Sequence, residues 1–351
     1  MKSPNTLNFP GGSKSRVNRS GQALARKDAT LEDNQVFEEW RAAHRGVLNT
    51  FQAILRTRAR GKDVTVAQRH KRRTTILDKL HRHDGMALAR MDDVAGCRLI
   101  FNDIHSLYEF RDSMHGAHFR HALRNSKDKY DYINIPKATG YRGVHDVYEY
   151  DVNSKAGEPL KGLLVEIQYR TLIQHSWATA VEVIGLVTKS QPKFERGDAR
   201  YTEAMSYASE ILARAHESRK GPHPDIMDSS LVVSFRRLDR ELKLLSLLRG
   251  VRASDTTLTK GGDVILIFNE DGSLEIRSFV SAPLALLDLF KLEKKLDQKD
   301  IVLVRGATSH DVRLAYQNYF GDTSDFIKLV MEGCQKLASS AKNHSRTRRH
   351  S

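Results

Sequence analysis

The stretch VEIQYRT, residues 165–171, constrains the fold of this chain more than any other. Successive side chains of a β-strand point to opposite faces, so one face of this strand would be apolar and the other polar. The apolar set is Val165, Ile167 and Tyr169, and the polar set is Glu166, Gln168 and Arg170. A half-exposed edge strand explains this alternation. The floor of an active site also explains it, because a carboxylate can bind a metal or accept a proton while an amide and a guanidinium hold phosphate or ribose oxygens.

The other patterns along the chain predict an α+β fold. Apolar residues at spacings of three and four indicate helices over residues 34–55, 74–81, 104–114 and 171–187, with more helix between 195 and 248. The stretches GCRLIF and GVHDVYEYDV indicate two further strands. We therefore expect a mixed β-sheet flanked by helices.

The character of the sequence changes after Arg252. The stretches DVILIF and SLEIRSF, separated by NEDG, predict a hairpin, followed by a helix over 283–296, the strand DIVLVRG and helices up to Cys334. These elements predict a small, separate α+β domain of the ferredoxin-like type. Its exposed strand edge would recruit a regulatory protein or a second copy of the chain.

The expected organisation has five parts. They are a disordered basic tail (1–30), a main domain (31–220), a helical linker (221–252), the small C-terminal domain (253–335) and a second disordered basic tail (336–351). The tails are assigned from composition, because Ser, Gly and Lys with few apolar residues cannot build a core.

The net charge of +14 does not by itself indicate a nucleic-acid partner. The first 30 residues carry six Lys or Arg and one acid, and residues 336–351 carry five and none, so the body is only mildly basic. Residues 56–90, however, contain eleven Lys or Arg against three Asp. A solvated helix face usually alternates charge signs, so this excess favours a phosphate-binding surface over an ordinary basic one.

Nothing in the sequence points to a membrane or an oxidising compartment. No apolar run approaches the roughly 20 residues that span a bilayer. The N-terminus lacks the apolar core of a secretory signal. Two cysteines, Cys97 and Cys334, are too few for a disulfide framework or a zinc cluster. We therefore expect a cytoplasmic protein with buried thiols.

Two acids, Asp92 and Asp93, come just before the predicted strand GCRLIF. One interpretation is that they are solvated turn residues without a chemical role, as acids at the start of a strand commonly are. Paired with Glu166 across a sheet, an Asp would complete a site for Mg²⁺, which takes few protein carboxylates and leaves its other positions to water and phosphates. Arg98, within the strand, would then meet a base or a phosphate.

Basic residues surround the start of the second predicted helix. Arg69 and Lys71 lie just ahead of it and Lys79 lies along it. Helix N-termini attract anions, and added cations strengthen the attraction. A basic surface helix is the alternative.

The stretch TGYRGVH, residues 139–145, places a tyrosine between two glycines. A decorated hairpin turn would explain it. The alternative is a ligand loop in which Tyr141 stacks on a nucleobase and His145 reaches a phosphate or ribose, with Lys137 preceding them after a stiffening proline.

Taken in order, these blocks resemble the nucleotide pyrophosphokinase domain of RelA/SpoT proteins. The blocks are Arg69-x-Lys71 with Lys79, then Asp93 to Arg98, then PKATGYRGVH, then EIQYRT. The resemblance covers about residues 35–220 and implies a nucleotidyltransferase-like synthetase fold. It also implies transfer of the β,γ-pyrophosphate of ATP to the 3′-hydroxyl of GDP or GTP, giving ppGpp or pppGpp in a stringent-type stress response.

The resemblance also implies roles for particular residues. Asp93 and Glu166 resemble the acids that bind Mg²⁺, and Glu166 would also activate the 3′-hydroxyl. The residues that resemble ATP ligands are Arg69, Lys71, Lys79 and Arg98. Those that resemble the guanosine-nucleotide site are Lys137, Tyr141, His145, Gln168 and Arg170, with Tyr141 stacked on guanine.

The chain also departs from the pattern of the long enzymes. Because only about thirty residues precede the first predicted helix, we expect no N-terminal hydrolase domain of the kind that the long enzymes carry. The loop reads TGYRGVH where the long enzymes have Asn-Gly-Tyr-Gln-Ser-Leu-His. With QHSWATAVE after the strand, it is more similar to a branch that includes toxic small synthetases, some of which pyrophosphorylate the 3′ end of tRNA. In that helix His175 and Glu182 would support the site or form an ordinary hydrogen-bonded face.

Three functions therefore remain open. They are an alarmone synthetase, a toxin that modifies tRNA, and a catalytically silent nucleotide-sensing module. The presence of both Asp93 and Glu166 favours an enzyme over the silent module.

Overall fold

The strands form one mixed sheet. A computed structural model describes residues 9–83, 85–188, 197–250, 262–268, 274–296, 300–306, 309–315 and 322–347. Its strands are β1 (Val64–His70), β2 (Ala95–Phe101), β3 (Ala122–Leu123), β4 (Val144–Glu149), β5 (Leu164–Thr171), β6 (Gly262–Phe268), β7 (Leu274–Phe279) and β8 (Asp300–Gly306). Their order across the sheet is β3-β4-β5-β2-β1-β8-β6-β7. Only β2 and β5 are parallel; the other neighbouring pairs are antiparallel.

Helices flank this sheet. They are α1 (Lys14–Arg26), α2 (Leu31–Ala59), α3 (Arg73–Arg82), α4 (Ile104–His115), α5 (Leu172–Val187), α6 (Ala199–Glu217), α7 (Asp228–Leu242), α8 (Leu244–Gly250), α9 (Ala282–Lys295), α10 (Ser309–Ala315) and α11 (Ser324–Thr347). Short 3₁₀ turns lie at Leu88–Arg90 and Glu158–Leu160. The α+β class and the predicted elements of the main domain are confirmed, and two strands that were not predicted, β1 and the short β3, are added to them.

The apolar face of β5 lies in the largest core. Val165, Ile167 and Tyr169 are fully buried there, among apolar side chains from the first four helices and from β2 and β4. The alternation in VEIQYRT therefore decides which face of the sheet the first helices cover. The polar residues of β5 are left on the opposite face.

Two predicted tails are more ordered than composition suggested, and the predicted helical linker is helical but belongs to an apolar core. Within the tail predicted to be disordered, residues 14–26 form α1, in which Val17 and Leu24 are buried against α2. The predicted linker forms α7 and α8, which pack with α5, α6 and α11 around a second apolar core. The tail predicted from residue 336 is helical up to Thr347, with Leu337 buried. The predictions of disorder and of a linker were wrong for these segments, because a few apolar residues at helical spacing pack against other helices.

The C-terminal strands do not form a sheet of their own. β8 pairs with β1 from Gly306↔Ala67 to Leu303↔His70, and it pairs on its other side with β6. The prediction of a separate small domain is therefore wrong for the described residues, and a ferredoxin-like unit is not confirmed. The NEDG turn lies outside the described residues.

Buried ion pairs fasten this C-terminal part to α2. Arg41 is completely buried and holds the carboxylate of Glu293 on α9 through both terminal nitrogens, at 2.6 and 2.9 Å. Arg45 pairs with the buried Asp263 at the start of β6. Such pairs require both partners, since an isolated buried charge is costly.

In the part of the chain that the structure describes, no helix has the length and apolarity needed to cross a lipid bilayer.

Candidate active site

The polar face of β5 carries a chain of hydrogen bonds. Gln168 Nε2 donates to Glu166 Oε2 at 2.7 Å, and Arg170 Nη2 donates to Gln168 Oε1 at 3.2 Å. His145, opposite Gln168 on the neighbouring strand β4, donates from Nδ1 to Glu166 Oε1 at 2.8 Å. Both oxygens of the Glu166 carboxylate are therefore oriented by other side chains.

The stretch TGYRGVH (residues 139–145), called the glycine loop below, brings Tyr141 to the same cluster. Its hydroxyl lies 2.5 Å from His145 Nε2 and accepts a bond from Arg170 Nη2 at 3.1 Å. Gly140 makes this approach possible, because its φ is +95° and a Cβ there would lie 2.9 Å from the Cα of Ser206 on α6. Only glycine adopts such a backbone without strain. The loop therefore rests against α6.

The ring of Tyr141, predicted to stack on a nucleobase, is half-buried. Tyr132 and Trp177 meet it edge-on, with ring centroids 5.7 and 6.4 Å away. The Arg170 guanidinium lies 5.2 Å and the Lys137 ammonium 5.6 Å from its centroid. In this structure, cations lie where a stacked base was predicted.

Tyr132 is a member of the cluster that sequence reasoning missed. Lys137 Nζ lies 4.3 Å from the centroid of its ring, and the ring of His145 meets it edge-on at 5.7 Å. The motif YDYINIPK contains Tyr132 immediately before the loop, but nothing in its spacing distinguishes it from Tyr130.

Mutual contacts set the charge states of this cluster. Burial disfavours a charged His145, but Tyr141 and Glu166 outweigh it and raise its pKa to about 9. Burial disfavours ionised Tyr141, but Arg170 and His145 outweigh it and lower its pKa to about 7. Burial is likewise outweighed at Glu166, where His145 holds the carboxyl pKa below its usual value. At neutral pH the site therefore presents a carboxylate beside an imidazolium.

A second cluster centres on Asp93. Its carboxylate accepts from Lys71 Nζ at 2.5 Å and from Lys79 Nζ at 3.0 Å, and Asp92 lies 3.5 Å from Lys79. Burial lowers the pKa of Lys71 to about 8 against the attraction of Asp93. At Asp93 burial opposes the charge, but the two lysines outweigh it and lower the pKa. Two cations are thus concentrated on one carboxylate.

The parallel pairing of β2 and β5 brings the two clusters to the same part of the sheet. Gly96 lies opposite Glu166, and Asp93 comes three residues before Gly96. The charge of Glu166 acts on Asp93 across the strand ends and raises its pKa, against the two lysines that lower it. Lys71 in turn helps to lower the pKa of Glu166.

The predicted ATP arginines lie on the same face. Arg98, on β2, lies opposite Gln168 on β5. Arg69, on the adjacent strand β1, lies opposite Gly96 on β2. The two arginines are diagonal neighbours on one side of the sheet, and Arg98 is buried.

The two predicted supporting residues lie outside the Glu166 cluster. His175 is buried and donates from Nε2 to the carbonyl of Leu314 on α10 at 2.7 Å. Burial, followed by the charges of Arg98 and Arg170, lowers its pKa to about 3, so it is neutral. Glu182 is half-buried and acts on His175 by its charge. His175 therefore ties α5 to the C-terminal part of the chain.

The donor chemistry suits Mg²⁺, although the two acids have other partners in this structure. Across the described residues, no group of three or more His, Cys, Asp or Glu is arranged to hold a metal ion. Mg²⁺ commonly uses only one or two carboxylates together with substrate phosphates, which Asp93 and Glu166 can supply.

Below the loop, a buried ion pair holds Arg142, which sequence reasoning also missed. Arg142 pairs with Glu217 at the end of α6, and its Nε donates to Ser209 Oγ at 3.1 Å. Ser209 Oγ in turn donates to the carbonyl of Gly140 at 2.6 Å. The arginine in TGYRGVH therefore anchors the loop instead of reaching a ligand.

Comparison with known proteins identifies this region. The family described as "Region found in RelA / SpoT proteins" matches residues 68–184. The GTP pyrophosphokinase YjbM of Bacillus subtilis (strain 168) is 33% identical over 119 residues, which are 32% of this chain and 52% of that protein. The chain thus spans about half the length of this curated relative.

Solved structures of similar proteins superpose only loosely. The small alarmone synthetase 1 of Bacillus subtilis bound to its product pppGpp shares 25% identity, covering 49% of this chain and 88% of that chain, with a TM-score of 0.40. A GTP pyrophosphokinase family protein from Streptococcus pneumoniae shares 26%, covering 53% and 91%, with a TM-score of 0.41. Superpositions at this level carry no argument about substrate. Over residues 68–184, the family match confirms the resemblance to RelA/SpoT proteins that the motifs indicated, and the similarity to the curated relative agrees with it.

Proposed function

We propose that this domain transfers pyrophosphate from ATP to the 3′-hydroxyl of GDP or GTP and so makes guanosine tetra- or pentaphosphate. The observation that carries the proposal is the single polar face on which Glu166, held by His145 and Gln168, lies beside the Lys71–Asp93–Lys79 cluster. The curated relative, a GTP pyrophosphokinase, supports the same class of reaction.

Glu166 is the residue proposed to act on the acceptor hydroxyl. Its two oxygens are fixed by His145 and Gln168, and its pKa lies below the usual value, so it is ionised at neutral pH. A fixed carboxylate orients the 3′-hydroxyl for in-line attack on the β-phosphorus of ATP and accepts the hydroxyl proton as the new P–O bond forms. The bond between the β-phosphorus and the α-phosphate oxygen breaks, and AMP leaves. His145 remains charged beside Glu166 and stabilises the negative charge that develops on the phosphoryl group during transfer.

The cations on this face are proposed to bind the phosphates. Lys71 and Lys79 share Asp93 in this structure, and a triphosphate would compete for the same ammonium groups. Arg69 and Arg98 are proposed to hold the adenine. Asp93 and Glu166 would hold Mg²⁺, which when bound shields the phosphate charge.

The guanosine nucleotide is proposed to enter beside the glycine loop. Lys137, Tyr141 and His145 border this position, and Gln168 and Arg170 lie beneath it on β5. A guanine that stacked on Tyr141 would take the place of one of the cations now lying over its ring.

The test uses the full chain, ATP labelled in the β,γ-phosphates, Mg²⁺, and GDP, GTP or tRNA as acceptor in separate reactions. We expect label in the guanosine nucleotides. Glu166→Gln should lower the rate by about 10²- to 10⁴-fold while leaving nucleotide binding measurable. The matched control is Glu149→Gln, on the neighbouring strand β4, where the carboxylate pairs with Arg124.

Each other outcome removes part of the proposal. Label found only in tRNA would replace the guanosine acceptor with the tRNA 3′ end. Nucleotide binding without transfer to any acceptor would leave a silent sensing module. Full activity of Glu166→Gln would show that another group acts on the hydroxyl.

A further inference from the structure

Strand β7 is the outermost strand at one end of the sheet. It pairs with β6 over Leu274–Phe279, and within the described part of the chain no strand pairs with its other side. The strand at the opposite end, β3, has only two residues and offers little to pair with. β7 has six residues and contains no proline, glycine or lysine, the residues that commonly protect an edge.

The charges on β7 suit a second copy of the same strand. Glu275 and Arg277 stand on either side of Ile276. In an antiparallel pair with a two-fold axis at Ile276, Glu275 of one copy lies directly opposite the partner's Arg277, and the reverse pair forms as well. Moving the axis by one residue in either direction would place Glu275 or Arg277 opposite itself. The sequence of the edge thus matches one register of self-pairing.

The two charged side chains lie on one face of β7 and contact each other within the chain. Arg277 Nε lies 2.8 Å from Glu275 Oε1, and Arg277 Nη1 lies 3.3 Å from Asp288 Oδ2 on α9. The two residues of β7 remain 40% and 43% exposed, so a second carboxylate can approach. Because Asp288 reaches Arg277, α9 lies on the same face of the sheet as this charged pair.

Apolar side chains border the same edge. Leu284, one helical turn before Asp288 on α9, is 52% exposed, and Leu287 is 53% exposed. Val280, which follows β7 directly, is 97% exposed. A two-fold axis perpendicular to the sheet keeps both copies of α9 on one face. These leucines would therefore face their counterparts across the axis.

We propose that β7 is a dimerisation edge, at which two copies pair antiparallel about Ile276 and form one continuous sheet. The occupant is a second copy of this chain, because the charge order on β7 is complementary to itself. The proposal does not depend on the reaction proposed above.

Charge reversal tests the register. The full chain should sediment as a dimer across about 1–100 µM. Arg277→Glu should weaken self-association by about tenfold or more, because it places two like charges at each cross-strand pair. The double variant Glu275→Arg, Arg277→Glu should restore the dimer, since each pair is again opposite in sign. Arg200→Glu, on the exposed surface of α6, is the charge-matched control and should have no effect.

Cross-linking gives an independent readout that does not rely on loss of binding. Residues paired directly across an antiparallel ladder have Cα atoms about 4.5–5.5 Å apart, within reach of a disulfide. Ile276→Cys should therefore form a covalent dimer on mild oxidation. Ser278→Cys, on the same face, should not, because the two copies of residue 278 would lie about 13 Å apart along the strands. Cys97 and Cys334 are buried and should not compete.

A monomer at the highest concentration would overturn the proposal. So would a dimer that withstands Arg277→Glu, a double variant that fails to recover, or equal cross-linking at positions 276 and 278. Far-UV circular dichroism of each variant separates a lost interface from a lost fold.

Discussion

The buried pair between Arg142 and Glu217 gives the most direct test of how the glycine loop is held. Arg142 is 2% and Glu217 is 4% exposed at the side chain. Glu217 also accepts from Thr171 Oγ1 at 2.6 Å and from Gln174 Nε2 at 3.0 Å. One carboxylate thus joins the loop, the end of β5 and the first turn of α5.

The change Glu217→Gln removes the charge without changing the shape. The amide oxygen can still accept from Thr171 and Gln174, but the amide nitrogen would face the Arg142 guanidinium. Breaking a buried pair by removing one partner costs about 3–5 kcal/mol. One nitrogen of Arg142, Nη2, is buried without a hydrogen bond in the native structure, so the pair is not fully satisfied. We therefore expect the lower end, about 3 kcal/mol.

Urea unfolding followed by circular dichroism measures this cost. At the slope expected for a chain of this size, about 3 kcal/mol lowers the urea midpoint by about 1 M. The control Glu241→Gln removes an exposed carboxylate 3.9 Å from Arg200 and should change stability by less than about 0.5 kcal/mol.

The double variant Arg142→Met, Glu217→Gln should recover most of the loss, because no charge is then left alone in the interior and the amide oxygen still accepts from Thr171 and Gln174. A cost of Glu217→Gln below about 1 kcal/mol would refute the reasoning, since it would mean that water reaches the Arg142 guanidinium. Failure of the double variant to recover would show that shape, and not charge, holds the loop.

Two further predictions concern the same loop and its neighbour. Gly140→Ala should destabilise the protein by about 1–3 kcal/mol more than Gly61→Ala. Both glycines have a positive φ, but only at Gly140 would the new Cβ meet backbone, at Ser206. Equal urea midpoints for the two variants would contradict this. Burial opposes the charge on His145 and Glu166 favours it, so Glu166→Gln should move the His145 pKa down from about 9 towards 6.5 in an NMR titration. Because the folded-state pKa is raised, the stability that this charge contributes is complete below about pH 6.5 and is lost as pH rises through 9; an unmoved pKa would mean that Glu166 is not its partner.

Local sequence patterns predicted the polar face of β5 and the helices around it, because alternation and helical spacing are properties of neighbouring residues. These patterns offered an acid before β2 and Glu166 only as a hypothetical pair across a sheet, and the family resemblance selected Asp93. Their closeness comes from the parallel pairing of β2 and β5, which no local pattern encodes. Arg142 was assigned to no role because its partner, Glu217, lies 75 residues away.

Strand β1 was missed for a different reason. Arg69 within it and Lys71 just after it suggested the approach to a helix, and its polar residues Gln68 and His70 are not typical of a buried strand. Both are nevertheless completely buried, and His70 Nε2 donates to the carbonyl of Arg41 on α2 at 2.7 Å. A buried polar residue becomes compatible with a central strand only when its partner is known.

The position of β1 also links the C-terminal part of the chain to the site, because β1 pairs with β8 on one side and with β2 on the other. β1 carries Arg69 and lies between β2 and β8, so its hydrogen bonds are completed from both sides only when β8 is present. On the face that carries the site, Ala67 and Ile100 are covered by Val312 of α10. The C-terminal elements therefore complete the same sheet that presents Glu166, Arg98 and Arg69, and they act on the site through shared packing. A unit joined in this way cannot be removed without exposing a strand edge and an apolar face beside the proposed ATP arginines.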